Sequence, residues 1–268
     1  MLAFRHELKP KKRFVIDLLD PVAGEAVGER LEFHSKRGAV DPVPCYDSSR
    51  GSFVVLWLRE GSLLLLDETG NSTRVRVNTA DFSFRHVRFV ASDRGQLLVV
   101  TDGDSTHDTL ALFNYDAGSF VKLVDVATAA RYALSNGAVF ALYDDHAGRA
   151  TSLRMCSPPR YDTFVDVDRC SSSVEWFNTI MTVDALGRVF TTVVAAGSES
   201  MRLQVYASSG ARLRTVPLRF TTPLPMDFDR FVQHMSWGLL HTDKQNRLLS
   251  MVSGGDDDPP VIHKMLVE

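Results

Sequence analysis

A glycine recurs at a nearly constant interval along this chain of 268 residues. Gly24 and Gly70 are 46 residues apart, Gly70 and Gly118 are 48 apart, and Gly210 follows after a further 92 residues, which is two steps of 46. Each glycine comes after an apolar run and a short polar or acidic stretch. A repeat of roughly 40 to 50 residues built from strand-like segments is typical of a β-propeller, in which each repeat forms one four-stranded blade.

Residues 84–126 show one complete repeat. Apolar or alternating runs separated by turn residues predict four strands, at residues 84–91, 96–101, 109–115 and 119–126. Asp93-Arg94-Gly95 and Asp116-Ala117-Gly118 are suited to the turns, because glycine adopts positive φ freely and aspartate hydrogen-bonds its own backbone. The same pattern of turn residues before an apolar run predicts a turn from a first to a second strand near residues 51, 95, 137, 187 and 246.

The two ends of the chain predict a closed ring. Residues 13–19 and 30–34 have the pattern of a third and a fourth strand, whereas residues 231–252 have that of a first and a second. A propeller loses its free sheet edges when one terminus completes the blade that the other begins. The sequence therefore predicts that the last blade is shared between the termini.

The predicted architecture is an all-β β-propeller of antiparallel four-stranded blades, forming a single domain over residues 1–268. We favour five blades, with a basic arm at residues 1–11 and strands within residues 12–35 completing the last blade. A further apolar run at residues 261–267 keeps six blades open, because it is itself a candidate third strand.

One stretch carries a family resemblance. Residues 183–190, VDALGRVF, are followed by residues 202–206, RLQVY, and by Gly210. This order of an Asp-x-x-Gly turn, a strand, and a later strand ending in a glycine turn resembles the NHL-type and gluconolactonase-like propellers. The Asn-His pair of many NHL blades is missing. The resemblance implies the fold and a general binding role.

Overall charge and cysteine usage exclude several classes of protein. The 30 Lys and Arg residues against 33 Asp and Glu residues give a net charge of −3, which favours neither nucleic acid nor a membrane as partner. Three cysteines without close pairing predict reduced thiols. Residues 1–9 lack the apolar core of a secretory signal. We therefore expect an intracellular, cytoplasmic protein.

Acidic residues concentrate in the connections predicted between second and third strands, which share one face of a propeller. These connections hold, with two histidines among the acids, Glu60, Asp102, Asp104, His107, Asp108, Asp144, Asp145, His146, Glu199 and Asp256 to Asp258. Such a face attracts cationic partners, although acidic loops also simply favour solubility. We predict a non-catalytic scaffold that binds a protein with a basic surface. Trp176, in a predicted connection between blades, is either a packing anchor or a hot spot for that partner.

The sequence also contains two candidate sites for a divalent cation. Asp102, Asp104 and Asp108 alternate in a glycine-containing loop, a pattern suited to calcium, although a solvated hairpin loop has the same composition. Resemblance to lactonase-type propellers would require a divalent cation held by carboxylate and Asn ligands at the channel mouth, for which Glu175, Asn178 and Asp229 are the candidates. The alternative function is therefore a cation-dependent propeller hydrolase or lactonase. A serine elbow, a phosphate loop and paired helical histidines are missing from the sequence.

Overall fold

The described part of the chain is built from antiparallel β-sheets. The computed structural model describes residues 2–7, 12–18, 31–35, 43–57, 62–67, 69–76, 87–102, 106–144, 149–170, 174–195, 200–218, 239–242, 248–252 and 261–265. All regular structure in these ranges is β-strand, in agreement with the predicted fold class. No helix long and apolar enough to cross a membrane occurs among them.

A three-stranded sheet opens the chain. β1 (Leu2–Glu7) pairs with β2 (Lys12–Leu18), and β2 pairs with β3 (Leu31–Ser35). The positions of β2 and β3 match the two strands that the sequence predicts near the amino terminus. β1 lies inside the segment predicted as a basic arm, where it extends the sheet by pairing with β2.

Four sheets with the up-and-down order of propeller blades follow. Blade I consists of β4 (Val43–Asp47), β5 (Ser52–Trp57), β6 (Ser62–Leu66) and β7 (Ser72–Arg76); blade II of β8 (Val87–Asp93), β9 (Gln96–Asp102), β10 (His107–Asn114) and β11 (Ser119–Ala127). Blade III consists of β12 (Arg131–Ser135), β13 (Ala138–Asp144), β14 (Ala150–Ser157) and β15 (Arg160–Arg169); blade IV of β16 (Glu175–Val183), β17 (Val189–Ala195), β18 (Ser200–Tyr206) and β19 (Arg212–Leu218). A single bridge between Ala150 and Phe177 connects blades III and IV.

The predicted turns between first and second strands are confirmed in all four blades. They contain Gly51, Gly95, Gly137 and Gly187, with φ of +63°, +79°, +78° and +77°. The fifth predicted turn, near residue 246, lies outside the described residues. Glycines of the 46-residue repeat mark turns from third to fourth strands in blades I, II and IV, whereas blade III makes this turn with Pro158-Pro159.

The last described sheet contains β20 (Leu239–Thr242), β21 (Leu248–Val252) and β22 (Val261–Met265). β22 pairs with β21, so the apolar run at residues 261–267 does supply a third strand. Among the described strands, β1 to β3 pair only with one another, and so do β20 to β22.

The first strands of successive sheets lie side by side, since β4 contacts β8, β8 contacts β12, β12 contacts β16 and β16 contacts β20. Alternate residues of each second strand fill the spaces between blades. In β9, Leu97 and Val99 pack towards blade I, while Leu98 and Val100 pack towards blade III. A strand buried on both faces needs a continuous apolar run, and the sequence of β9 supplies it. Cys45, Cys156 and Cys170 are free cysteines, of which Cys156 is buried.

Candidate functional site

In each blade the end of the second strand and the start of the third strand lie side by side at one face, here called the loop face. At this face the structure places Asp102 at the end of β9, His107 and Asp108 at the start of β10, and Asp144 at the end of β13. The remaining predicted residues of this face lie outside the described residues: Glu60, Asp104, Asp145, His146, Glu199 and Asp256 to Asp258. The loop face is therefore described by the strand ends that frame it.

Asp108 differs from its predicted place in a solvated loop. It is the second residue of β10, and only 1% of its surface is exposed. Its carboxylate pairs with the guanidinium of Arg88 and accepts hydrogen bonds from the Tyr132 hydroxyl at 2.7 Å and the Ala129 backbone N–H at 3.3 Å. A buried carboxylate requires such partners, and here they come from the inner strand of its own blade and from the start of blade III. Asp108 thus joins two blades.

The same arginine also neutralises the neighbouring acid. Arg88 Nε lies 3.4 Å from Asp102 Oδ1, and the Asp102 side chain is 54% exposed. Two of the three predicted calcium ligands are therefore ion-paired with one cation. In the part of the chain that the structure describes, no group of three or more candidate metal ligands is assembled. Calcium binding by this loop stays a prediction, because Asp104 is not described.

Two other predicted residues are exposed on the loop face. His107 is exposed, and its Nδ1 lies 2.8 Å from the Thr106 hydroxyl. Asp144 is also exposed. Together with Asp102 they are the exposed residues of the predicted acidic set that the structure describes. The loop face therefore retains acidic groups, although Arg88 offsets the charge of Asp102.

Trp176 lies in the first strand of blade IV and not in a connection between blades. It is half-buried, and the guanidinium carbon of Arg149 lies 4.5 Å from its ring centroid. The next residue, Phe177, is 1% exposed and belongs to the core. Because neighbouring residues of a strand point to opposite sides, the core contact of Phe177 turns Trp176 away from that core and towards Arg149.

The residues predicted for a hydrolase site are only partly described. Glu175 Oε1 lies 2.9 Å from Arg202 Nη2. Asn178 is 2% exposed, lies where the register of β16 shifts, and has no hydrogen-bond partner for its Nδ2 among the described residues. Asp229 lies outside the described residues, so the predicted convergence of the three stays a prediction.

At the opposite end of the inner strands, the turns of four blades contact one another. The Ser48 hydroxyl of blade I donates to the Val183 carbonyl of blade IV at 2.9 Å. The Ser135 hydroxyl of blade III donates to the Gly187 carbonyl at 2.6 Å. Contact between the first and the fourth blade shows that the row of sheets curves, and it narrows the central space at this turn face.

Buried carboxylates also cluster at the turn face. Asp47 and Asp184 are 0% exposed and Asp93 is 1% exposed. The Asp93 Oδ2 accepts the Asn136 backbone N–H at 2.6 Å, whereas Asp93 Oδ1 has no partner among the described residues. Burial raises the pKa of Asp93, with smaller contributions from Asp47 and Asp184. These three acids belong to the interior and lie at the opposite end of the blades from the loop face.

Two cavities lie near the loop face. The larger, of about 400 Å³, is lined by Tyr143, Asp144, Thr151, Ser152, Arg154, Arg169 and Cys170. The smaller, of about 50 Å³, is lined by Arg88, Phe89, Val100, Ala129, Ala130, Arg131 and Tyr132. The sequence prediction included only one of these lining residues as a binding residue. An arginine at or near the start of a first strand, as at Arg88 and Arg131, is the signal that it missed.

Four up-and-down sheets with adjacent first strands place the described blades in the β-propeller class. No protein-family model and no curated protein matches the chain. Among solved structures, it is similar to Kuenenia stuttgartiensis hydrazine synthase (11% identity, TM-score 0.45), covering 82% of this chain and 57% of that one. It is also similar to a quinonprotein alcohol dehydrogenase-like protein from Bacteroides thetaiotaomicron (11%, TM-score 0.41, 81% of this chain and 55% of that one).

A third solved structure, the nidogen/laminin complex, is 12% identical with a TM-score of 0.44, covering 94% of this chain and 88% of the matched chain. The chain thus spans little more than half the length of the first two proteins and most of the third. All three TM-scores are below 0.5, so the class assignment above rests on the strand order of this chain itself.

Proposed function

We propose that this protein is a non-catalytic β-propeller that binds another protein, one with a basic surface, through its loop face. The observation that carries the proposal is the stack of Arg149 on Trp176, which come from blades III and IV. Tryptophan and arginine are the residues most enriched where binding energy concentrates in protein interfaces. The stack holds both side chains in place before a partner arrives, which lowers the entropic cost of association.

The contacts between blades support a rigid platform. Three tyrosine hydroxyls each donate to a carboxylate of the preceding blade: Tyr115 to Asp47 at 2.6 Å, Tyr132 to Asp108 at 2.7 Å and Tyr206 to Asp168 at 2.7 Å. The turn contacts described above narrow the opposite end of the central space. Blades that are held together in this way form a rigid surface. Such a surface suits recognition of a macromolecule and requires no catalytic site in the central channel.

We test the interface by photo-cross-linking in cells, with the cross-linker placed at His107, at Asp144 or, as control, at Leu213. His107 and Asp144 are exposed on the loop face, whereas Leu213 is 54% exposed on the outer strand β19. We expect one protein to be captured from both loop-face positions and not from Leu213. Capture from Leu213 alone would contradict the proposed face.

The affinity of the captured protein then tests the stack and the charge. Trp176→Ala should weaken binding about thirtyfold, as expected for a hot-spot residue of about 2 kcal/mol. Binding should also weaken with added salt, since a basic partner is attracted by exposed carboxylates. Unchanged affinity in Trp176→Ala would remove the stack from the interface.

Thermal unfolding with calcium and with a chelator separates the hydrolase alternative from the scaffold. A ligand that binds only the native state raises the unfolding temperature. A calcium-dependent increase that Asp102→Ala, Asp104→Ala abolishes would establish a metal in the loop and favour the hydrolase. A calcium-dependent increase that this double variant retains would instead direct attention to Glu175, Asn178 and Asp229.

We further propose that the ring closes between the two three-stranded terminal sheets, with five blades if they share strands and six if each completes its own blade. Adjacency of β16 and β20 supports a continued row of sheets beyond blade IV.

Deletion of the chain through His34 tests the closure of the ring. We expect this deletion to abolish cooperative unfolding, because it would expose sheet edges, while removal of residues 1 to 11 tests the contribution of β1.

A further inference from the structure

Several arginines of this protein lie over aromatic rings and also bind a carboxylate. The guanidinium carbon of Arg50 lies 5.2 Å from the Tyr115 ring centroid, that of Arg154 4.8 Å from Tyr143, and that of Arg188 5.5 Å from Phe190. Each of the three also pairs with an aspartate: Arg50 with Asp116, Arg154 with Asp166 and Arg188 with Asp184. The ring covers one face of the guanidinium and the carboxylate offsets its charge, with N–H hydrogen bonds to the carboxylate at Arg50 and Arg188.

Arg131 has the ring but no carboxylate partner among the described residues. Its guanidinium carbon lies 4.9 Å from the Phe89 centroid, and the residue is half-buried. No ion pair or side-chain hydrogen bond joins Arg131 to another described residue, and its Nε is buried without a hydrogen-bond partner. Burial lowers the pKa of Arg131. A partly buried cation without a partner is costly, so the charge of Arg131 is less well satisfied than the charges of Arg50, Arg154 and Arg188.

A cavity lies beside this guanidinium. The cavity of about 50 Å³ is bounded by Arg131, Phe89, Arg88 and Tyr132, and by the backbone at Ala129 and Ala130. A cavity needs about 10 to 15 Å³ of such space to hold one water, so this one admits a group the size of a carboxylate. The cavity adjoins the loop face, because Arg88 on its wall pairs with Asp102 at the end of β9.

We propose that this cavity is a binding site for one carboxylate group, which completes at Arg131 the ring-arginine-carboxylate arrangement seen at Arg50, Arg154 and Arg188. The carboxylate comes either from a free small acid or from an acidic side chain of a bound polypeptide. This site is independent of the proposed basic partner, because its ligand is the single carboxylate and its recognition is local.

Neighbouring charges set the expected strength. Arg88 faces the cavity but is already paired with Asp102 and Asp108, so Arg131 is the cation left to bind the ligand. The two aspartates repel an incoming carboxylate, while Arg88 offsets one of them. We therefore expect millimolar affinity for a free acid, with selectivity for a planar two-oxygen group over chloride.

NMR spectra of the arginine Nε–H groups test the site on the intact chain. Sodium acetate is titrated against sodium chloride at constant ionic strength. We expect a saturable shift of the Arg131 Nε–H signal with acetate and none with chloride, while the signal of Arg188, which already binds Asp184, stays in place. Equal shifts with both salts, or no shift, would overturn the proposal.

Variants connect the binding to this side chain. Arg131→Lys retains the charge but loses the planar fork, so we expect acetate affinity to fall about tenfold. This variant also assigns the Arg131 signal, and Arg188→Lys is the matched control with unchanged acetate affinity. Acetate binding that is equally strong in Arg131→Lys would also contradict the site.

Two probes distinguish the sources of the carboxylate. N-acetylglutamic acid amide presents a side-chain carboxylate on a blocked backbone, and N-acetylglutamine amide is its neutral control. Binding of acetate together with the glutamic acid probe assigns a site open to acidic side chains. Binding of acetate without the glutamic acid probe assigns a site for free small acids. Equal binding of the glutamine probe would exclude carboxylate recognition.

Discussion

Asp47 of blade I and Asp93 of blade II occupy the same place in their blades, at the end of the first strand. They differ in the number of hydrogen bonds that their carboxylates accept. Both are almost fully buried. Asp47 accepts hydrogen bonds from backbone and side-chain donors of its own turn at Ser49, and across the blade boundary from Tyr115, Ser92 and Gly95. Asp93 accepts one hydrogen bond, from the Asn136 backbone, and its other oxygen has no described partner.

The comparison shows that the repeat determines where a buried carboxylate lies but does not determine its hydrogen bonds or its pKa. Burial alone would raise the pKa of Asp47, but hydrogen bonds from Ser49, Tyr115, Gly95 and Ser92 outweigh burial and hold it below its usual value. Burial dominates at Asp93, whose pKa is raised. We therefore expect the ionised Asp47 to stabilise the native state and the ionised Asp93 to destabilise it.

Replacement of Asp47 should have the largest effect. Asp47→Asn removes the ionised acceptor from the donors at Tyr115, Ser92 and Gly95, so we expect a loss of about 3 kcal/mol in the free energy of unfolding. Urea unfolding at neutral pH measures it, with an unchanged slope confirming an intact native state. A loss no greater than that of Asp93→Asn would end the distinction between the two positions.

Loss of the hydrogen bond from Tyr115 to Asp47, which joins blades I and II, should destabilise the protein less than Asp47→Asn does. Tyr115→Phe deletes the hydroxyl that donates to Asp47 at 2.6 Å, and we expect a loss of about 2 kcal/mol, because the acceptor is ionised. Tyr161→Phe is the matched control, since the Tyr161 hydroxyl donates to the neutral Gly137 carbonyl at 2.9 Å and should cost about 1 kcal/mol. Equal losses would show that the charge of Asp47 contributes nothing to this bond.

Neutralising Asp93 should instead stabilise the protein slightly. Asp93→Asn retains an acceptor for Asn136 and removes a buried charge, so we expect a gain of up to about 1 kcal/mol at pH 7. Because the pKa of Asp93 is raised in the native state, the wild type loses its penalty as the pH falls through that pKa towards the unfolded value of about 3.9. Unfolding temperatures measured between neutral and acidic pH should therefore converge. A gain that grows on acidification would contradict the assigned sign.

The surface ion pair beside Asp47 should contribute least. Arg50 pairs with Asp116 across the boundary between blades I and II, but these side chains are 38% and 54% exposed. We expect Arg50→Gln to lower the unfolding free energy by about 0.5 kcal/mol, and high salt to remove most of this difference. A loss as large as that of Tyr115→Phe would place the stabilisation of this boundary on the surface and not at Asp47.

Local pattern accounts for the parts of the fold that the sequence predicted well. The strands of blade II were predicted to within three residues at every end, because alternation of apolar residues and turn chemistry act over a few neighbours. The turns at Gly51, Gly95, Gly137 and Gly187 were predicted for the same reason. β1 was missed because its residues Leu2–Glu7 mix charge with apolar character.

The candidate site was predicted less well, because its chemistry depends on partners that are distant in sequence. Asp108 was predicted as an exposed loop acid, and only its contacts with Arg88 and Tyr132 reveal it as a joint between blades. Trp176 was predicted in a connection, whereas pairing with Val194 places it in β16. Arg131 was not predicted as a binding residue, since the lack of a counter-ion among the described residues is a property of its surroundings.

The sequence by itself determined the repeat, the strand positions and the turns, since these follow from periodicity and from the backbone preferences of single residues. Only the tertiary structure decided which acids are exposed, which are ion-paired, and that Arg131 has no carboxylate partner among the described residues. The physical reason is that the charge and exposure of a group depend on the atoms packed against it, and for Asp47, Asp93 and Asp108 some of those atoms come from the neighbouring blade.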